Sequence, residues 1–311
     1  MAEHELSVVV PCYNEEAVIV ECHRRLTAAL DPLGVRYECI YVNDGSRDGT
    51  WPQLSRLQQR DPANTVAVTL SRNFGHQPAV TAGLSLARGK AIIIIDADLQ
   101  DPPELIPKMM ELWRQGHDVV YGVRESRDGE SQFKLLTAKL FYWIINRLSD
   151  AEIPSQAGDC RLMDRRGVNV ILSMPERHRL LRGICSWFGF SQVPLHYKRH
   201  ARHAATTKYA PSRMFALALD GIVSFSAVPL RLTTIAGAVT ALLSLIGIVY
   251  ALLARTLTHH WVAGWATLFI RLLFLSGIQV ICLGVMGEYI GRIYTEVKQR
   301  PLFVIKDVLR S

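Results

Sequence analysis

Between Leu232 and Gly287 the chain carries no acidic residue, and its only charges there are Arg255 and Arg271. Water-soluble helices seldom run so far without a carboxylate, which argues against a buried soluble hairpin. The six cysteines, Cys12, Cys22, Cys39, Cys160, Cys185 and Cys282, form no C-x-x-C pair and show no His ligand spacing. A zinc site or dithiol centre is therefore disfavoured, and buried, reduced thiols are expected. Neither G-x-G-x-x-G nor G-x-x-x-x-G-K-[ST] occurs, which sets aside a dinucleotide-dependent dehydrogenase and a P-loop ATPase. Internal repeats and low-complexity tracts are lacking too. No signal peptide is read at the N-terminus, where acidic Met1 to Glu5 leads into the apolar run Leu6 to Val10, so the N-terminal portion is expected to stay in the cytosol.

The 311 residues have a net charge of +7, which on its own suggests nucleic acid, phosphate-rich ligands or an anionic membrane as partner. The excess is local. Residues 1 to 195 carry 22 basic and 24 acidic side chains, whereas His196 to Arg231 carries six basic and one acidic. The final stretch from Glu288 carries five basic and three acidic. A nearly uncharged segment thus lies between positive ones, and nucleic acid becomes an unneeded explanation.

Leu232 to Ala254 supplies 23 uncharged residues, more than the roughly 20 needed to cross a bilayer core. A second apolar run, about 262–287, reaches spanning length if it includes Arg271, whose cost falls from about 3 kcal/mol at midplane as its stem snorkels toward a helix end. The short connection Arg255 to Trp261 makes the two a hairpin. Basic flanks that include Arg231, Arg292, Lys298 and Arg300 place both chain ends in the cytoplasm, giving a multi-pass protein of the plasma (inner) membrane. The expected organisation is a catalytic domain over 1–210, a juxtamembrane amphipathic segment over 211–231, two spans within 232–287, and a cytoplasmic tail over 288–311.

Within the first domain, apolar or β-branched runs at Leu6 to Val10, Cys39 to Val42, Thr65 to Leu70, Ala91 to Ile95 and Val119 to Tyr121 alternate with helical stretches. Such alternation predicts an α/β fold with a mostly parallel sheet, whose ligand lies beyond the carboxyl ends of the strands. The residues that follow the first four runs are polar: Pro11 to Glu15, Asn43 to Thr50, Ser71 to His76 and Asp96 to Pro103. Each also has a bland reading. Asp44-Gly45 is a common turn, and Asp101 ahead of two prolines suits a helix cap.

Asp96 and Asp98 stand one residue apart at the end of an apolar run, where strand periodicity would put both on one side. Hard oxygen ligands of this kind suit Mg²⁺ or Mn²⁺, which fills its remaining positions with water and substrate phosphates. A divalent ion on a diphosphate neutralises the charge of a departing nucleoside diphosphate, which points to sugar-nucleotide chemistry. Arg124, Arg199, Arg202 and Lys208 are candidate phosphate partners, since cationic side chains match phosphate geometry and charge.

With these residues in view the chain resembles the polyprenyl-phosphate glycosyltransferases of the family-two, GT-A type. The matching pieces are Val42 to Ser46, Ser71 to Gly75, Asp96 to Pro102, Gly158 to Met163, Asp220 to Ser226 and Gly287 to Tyr294. The resemblance implies inverting transfer of a sugar from a nucleotide sugar to a polyprenyl phosphate at the cytoplasmic face. It assigns the nucleotide sugar to Pro11, Tyr13, Glu15, Asp44, Asp96, Asp98, Gln100, Arg199 and Arg202. The metal goes to Asp96, Asp98 and Gln100, and the lipid phosphate to Arg124, Lys134 and Lys208. Asp98 and Asp159 are the catalytic candidates, Asp159 as a base or as the residue that orients Arg161. Similarity through Pro175 to Trp187 favours UDP-glucose as donor, with a UDP-4-amino-arabinose derivative, UDP-GlcNAc and GDP-mannose as alternatives. Family members can be tetramers, and Gly237, Ala238 and Ala241 could pack spans of a homo-oligomer together. The chain departs from the family pattern at Cys160, Ala205 and Arg271. A processive polysaccharide synthase is disfavoured by the missing Q-x-x-R-W element; a non-catalytic membrane subunit or flippase is the rival of another class.

Overall fold

The computed structural model describes residues 4–124, 157–177, 179, 181–197, 228–258 and 265–311. The chain divides into two compact units, Met1–Ala216 with Arg300–Ser311, and Leu217–Gln299.

The first unit is built on one sheet. Its strands are β1 (Leu6–Cys12), β2 (Tyr37–Asn43), β3 (Thr65–Leu70), β4 (Ala91–Ile94), β5 (Val119–Arg124), β6 (Ala157–Asp164), β7 (Gln192–Tyr197) and β8 (Ile305–Leu309), in the spatial order β7-β5-β6-β4-β1-β2-β3-β8. β1 pairs in parallel with β2 and β4, β2 with β3, and β5 with β7. β6 is inserted antiparallel between β4 and β5, and β8 closes the far edge antiparallel to β3.

The helices are α1 (Ile19–Leu30), α2 (Thr50–Arg60), α3 (His76–Leu86), α4 (Ile106–Arg114), α5 (Arg165–Ser173) and α6 (Leu181–Trp187). They cover both faces, which is why β1 to β4 read as continuous apolar runs and not as alternating ones. One face packs Leu6, Val8, Val10, Tyr41 and Ile93 against Ile19, Leu26 and Leu30 of α1, Leu54 of α2 and Met109 of α4. The other packs Val9, Ile40, Val42, Ile92 and Ile94 against α3, α5 and α6 through Val80, Leu84, Val168, Ile171 and Ile184. In α1 the buried Ile19, Cys22, Leu26 and Leu30 recur at three- and four-residue intervals, the stripe a helix needs to lie on a sheet. Each fully buried Ile or Leu contributes about 1.5–3 kcal/mol. All six cysteines are free thiols, and five are buried.

The five expected strands are present, with β1, β2 and β5 longer than expected and β4 ending at Ile94, one residue short. β6, β7 and β8 were not foreseen. In β6 charged residues interrupt the apolar pattern, and β8 lies beyond the long apolar stretch, where strand pairing depends on residues more than 200 positions away in sequence.

The second unit contains α7 (Val228–Thr258) and α8 (Trp265–Val297), which are long and apolar enough to cross a membrane. Their apolar windows are Leu230–Gly247, at mean hydropathy 1.6, and Phe274–Val297, at 1.4. Arg271 falls in the second turn of α8, ahead of that window and near the helix end, where a basic stem can reach headgroups. The stretch expected as a tail from residue 288 is helical to Val297 and then supplies β8, so its last residues belong to the first unit's sheet.

At Gly83, α3 lies directly on β1: a Cβ there would stand 2.3 Å from Val9 Cγ1. Gly83→Val forces the helix off the sheet and should cost about 1–3 kcal/mol, read as a lower thermal midpoint. An unchanged midpoint would contradict this packing.

Candidate active site

The carboxyl ends of β1, β2, β3 and β4 meet at one rim. The turns that follow β1 and β2 are stitched together. The Asn14 amide donates to Ser46 Oγ at 3.0 Å, while Asn14 Oδ1 accepts from the Arg47 amide at 2.9 Å. The Glu15 amide donates to Thr50 Oγ1 at 2.9 Å, and Glu16 Oε2 accepts from the Gly49 amide at 2.9 Å. Pro11 is buried at the end of β1, and Tyr13, 45% exposed, stands out from the loop. An exposed aromatic beside a polar rim offers a stacking face for a planar base.

Asp44 follows β2 and is only 3% exposed. Its Oδ1 accepts from the Phe74 amide at 2.7 Å and its Oδ2 from the Gly75 amide at 2.9 Å. Burial raises its pKa, and the two amide hydrogen bonds work in the opposite direction. Asp44 therefore holds the loop Ser71–Gly75 in addition to facing the rim. The adjacent Gly45 sits at φ +65°, and a Cβ on it would come 2.5 Å from the Arg72 carbonyl carbon and the Asn73 nitrogen. Here glycine is required by both the turn and the close approach.

Asp96 and Asp98 lie beyond β4 in a turn, so strand periodicity does not place them. Leu99, buried and at φ +59°, carries the turn, a conformation that costs a non-glycine residue about 1 kcal/mol or more. Asp98 Oδ1 accepts from the Gln100 amide at 3.1 Å, which fixes the Asp98 carboxylate. Asp101 is buried and accepts from the Tyr197 hydroxyl at the end of β7.

The antiparallel strand β6 delivers the third carboxylate. Ile94 pairs with Arg161, two residues after Asp159, and Asp159 lies near enough to Asp96 to act on its charge. Like charges brought close together disfavour each other's ionisation. Asp96, 28% exposed at its side chain, accordingly has its pKa pushed up to about 6, by burial first and then by Asp159, Asp98 and Asp101, with His76 acting in the opposite direction. His76 Nε2 is 3.8 Å from Asp96 Oδ1. Beneath the rim, the buried Cys22 thiol is pushed up to about 12, first by burial and then by Asp98, Glu15 and Asp96, which marks the convergence of these three carboxylates. Arg161 is buried and donates to the Gly158 carbonyl at 3.2 Å.

Among the described residues no three His, Cys, Asp or Glu side chains form a ready-made metal cage. A concentrated set of carboxylates, one of them with a raised pKa, fits a Mg²⁺-type ion that takes one or two protein carboxylates and completes its shell with phosphates and water. Arg124 ends β5 at this rim; Lys134, Arg199, Arg202 and Lys208 lie outside the described residues. Sequence reading missed Asn14, Glu16, His76 and Tyr197. The first three stand in or beside quoted motifs, whereas nothing local marks Tyr197.

The folded-state pKa of Asp96 lies above the roughly 3.9 of an unfolded chain, so the folded protein holds the proton across that window. Stability therefore falls as pH rises from about 4 to about 6. In chelator-treated protein, Asp96→Asn should be more stable than the wild type by about 1–2 kcal/mol above pH 6, with the gain vanishing near pH 4. Thermal unfolding across this range checks it, and a pH-independent difference would contradict it.

Residues 7–172 match glycosyl transferase family 2, and residues 228–293 match the GtrB C-terminal hairpin. An uncharacterized glycosyltransferase of Synechocystis sp. is 46% identical over 304 residues, which is 98% of this chain and 95% of that one. A prophage bactoprenol glucosyl transferase homolog of Escherichia coli is 41% identical over 98% of this chain and 99% of its own. The bactoprenol glucosyl transferase of Shigella phage SfII is 39% identical over 99% of both chains. The paired carboxylates at the rim of a GT-A sheet and these full-length similarities agree: the chain is a glycosyltransferase and belongs to glycosyl transferase family 2.

Proposed function

We propose that the protein transfers a sugar, with inversion, from a nucleotide sugar to a polyprenyl phosphate held in the cytoplasmic leaflet. The observation that carries this reading is the proximity of Asp96, Asp98 and Asp159 at the rim, in a chain similar over its whole length to bactoprenol glucosyl transferases. Those names favour a glucosyl donor, and UDP-glucose is the first choice. UDP-GlcNAc, a UDP-4-amino-arabinose derivative and GDP-mannose are the competing donors.

In this reading Tyr13 stacks on the base, and Pro11, Glu15 and Asp44 enclose the nucleoside. Asp96 and Asp98, with Gln100, hold Mg²⁺ or Mn²⁺ against the donor diphosphate, and Arg199 and Arg202 face its phosphates. A bound divalent ion supplies neutralisation of the charge that develops on the leaving nucleoside diphosphate. The acceptor oxygen needs little activation, because the second pKa of a phosphomonoester is about 6 and the group is already anionic at pH 7. Asp159 therefore serves better by orienting cationic partners than as an obligatory base. Arg124, Lys134 and Lys208 meet the lipid phosphate. Each basic residue near an anionic leaflet adds about 1 kcal/mol of attraction.

α7 and α8 cross the membrane as a hairpin with both chain ends in the cytoplasm, by the excess of basic residues flanking them. Packing through Gly237, Ala238 and Ala241 in a homo-oligomer, such as a tetramer, fits the small-residue character of α7.

Asp98→Asn should abolish transfer, by about 10²-fold or more, while the thermal midpoint stays near that of the wild type. Purified protein in lipid, given a panel of labelled sugar nucleotides and undecaprenyl phosphate, reads both donor choice and loss. Wild-type turnover by the Asn variant would contradict the metal assignment.

A further inference from the structure

β8 has little apolar burial of its own: its three central residues are exposed, and it is a five-residue edge strand. Such strands fray unless something fixes them. Here the fixing group is Arg310. Its guanidinium pairs with Glu38 and donates to the Leu86 carbonyl at 3.0 Å. Glu38 is 1% exposed within β2 and also accepts from the Ser7 hydroxyl and the Arg88 amide, each at 2.6 Å. A buried carboxylate with these partners is a rigid anchor point, and the Arg fork suits it.

The opposite end of the strand reaches the rim. The Val304 carbonyl accepts from the Ser71 amide at 2.9 Å. Phe303 and Ile305 pack against the same buried cluster as Phe74. Ser71 opens the loop whose Phe74 and Gly75 amides are held by Asp44 and which leads into His76, the neighbour of Asp96. The loop is thus gripped from two sides: by Asp44 and by the chain's own C-terminal segment.

We propose that Arg310 is a positioning residue for the donor site, acting through β8 and the Val304 carbonyl on the loop Ser71–Gly75. The inference rests on the reading of that rim as the nucleotide-sugar site. Its consequence is that donor binding depends on the C-terminal segment having returned to the sheet edge. Its reach is the loop Ser71–Gly75, so the effect falls on donor binding ahead of the chemical step and of acceptor binding.

The experiment compares full-length wild type, Arg310→Ala and Arg310→Lys in lipid. Amide hydrogen exchange and the kinetic constants for UDP-glucose (or whichever nucleotide sugar the wild type uses) and undecaprenyl phosphate are measured for each. In Arg310→Ala the amides of Ser71, Phe74 and Gly75 should exchange faster while those of β1 and β4 keep their protection. Donor KM should rise about tenfold, with kcat and acceptor KM within about twofold of the wild type. Lys, which keeps the charge without the fork, should restore part of both effects, and it carries the comparison if the Ala variant does not fold. Unchanged loop exchange, or an unchanged donor KM, overturns the inference. So does a loss of protection throughout β1 and β4 with all constants worsening together, which would mark a merely structural role. A wild-type protein that transfers no sugar from any nucleotide sugar overturns the underlying reading, whereas active wild type with an indifferent Arg310→Ala overturns this inference alone.

Discussion

Negative charge gathered at one rim of a sheet is the constraint on which the rest of this structure turns. Asp159, Asp98 and Asp101 all lie close enough to Asp96 to add to the field at its carboxylate. Burial first, and the neighbouring carboxylates after it, raise the pKa of Asp96, so keeping that group ionised costs free energy in the isolated protein. A fold that keeps such an arrangement must support it mechanically. The buried strands beneath, the left-handed Leu99 and the hydroxyl of Tyr197 on Asp101 do so from three directions. A cation and a diphosphate would relieve the repulsion, which links the charge gathered at the rim to the chemistry of a glycosyltransferase.

The loop Ser71–Gly75 shows how closely positioning and binding are combined. Asp44, placed by the end of β2, satisfies two of the loop's amides, and Gly45 leaves room for its backbone. The same loop starts α3, so its geometry is transmitted to His76 and the edge of the carboxylate cluster. The C-terminal segment then completes the support from the far edge of the sheet. A chain that leaves its catalytic domain for an apolar hairpin comes back to finish that domain's sheet, so the edge strand β8 comes from the far side of the hairpin in sequence.

Much of this was legible in the sequence because the signals were local. Four apolar runs, each followed by polar residues, gave the parallel core and its rim, and Asp96-Ala97-Asp98 marked the charged turn. The placement of Asp98 by strand periodicity was the wrong reason for a correct neighbourhood, since β4 stops at Ile94 and a turn takes over. β6 was invisible because Asp159, Arg161 and Asp164 break its apolar pattern, yet that strand brings Asp159 near Asp96. β8 and the Tyr197 contact rest on pairings remote in sequence, and nothing in Ile305 to Arg310 announces a partner in β2 or β3.

The central claim is that the rim holds a divalent ion together with the donor diphosphate. Titration of Mn²⁺ followed by electron paramagnetic resonance, with and without UDP, tests it most directly. The account predicts weak binding of Mn²⁺ alone, tight stoichiometric binding once UDP is present, and loss of that tight binding in Asp98→Asn. Mn²⁺ binding that ignores UDP, or that survives the substitution intact, would contradict it.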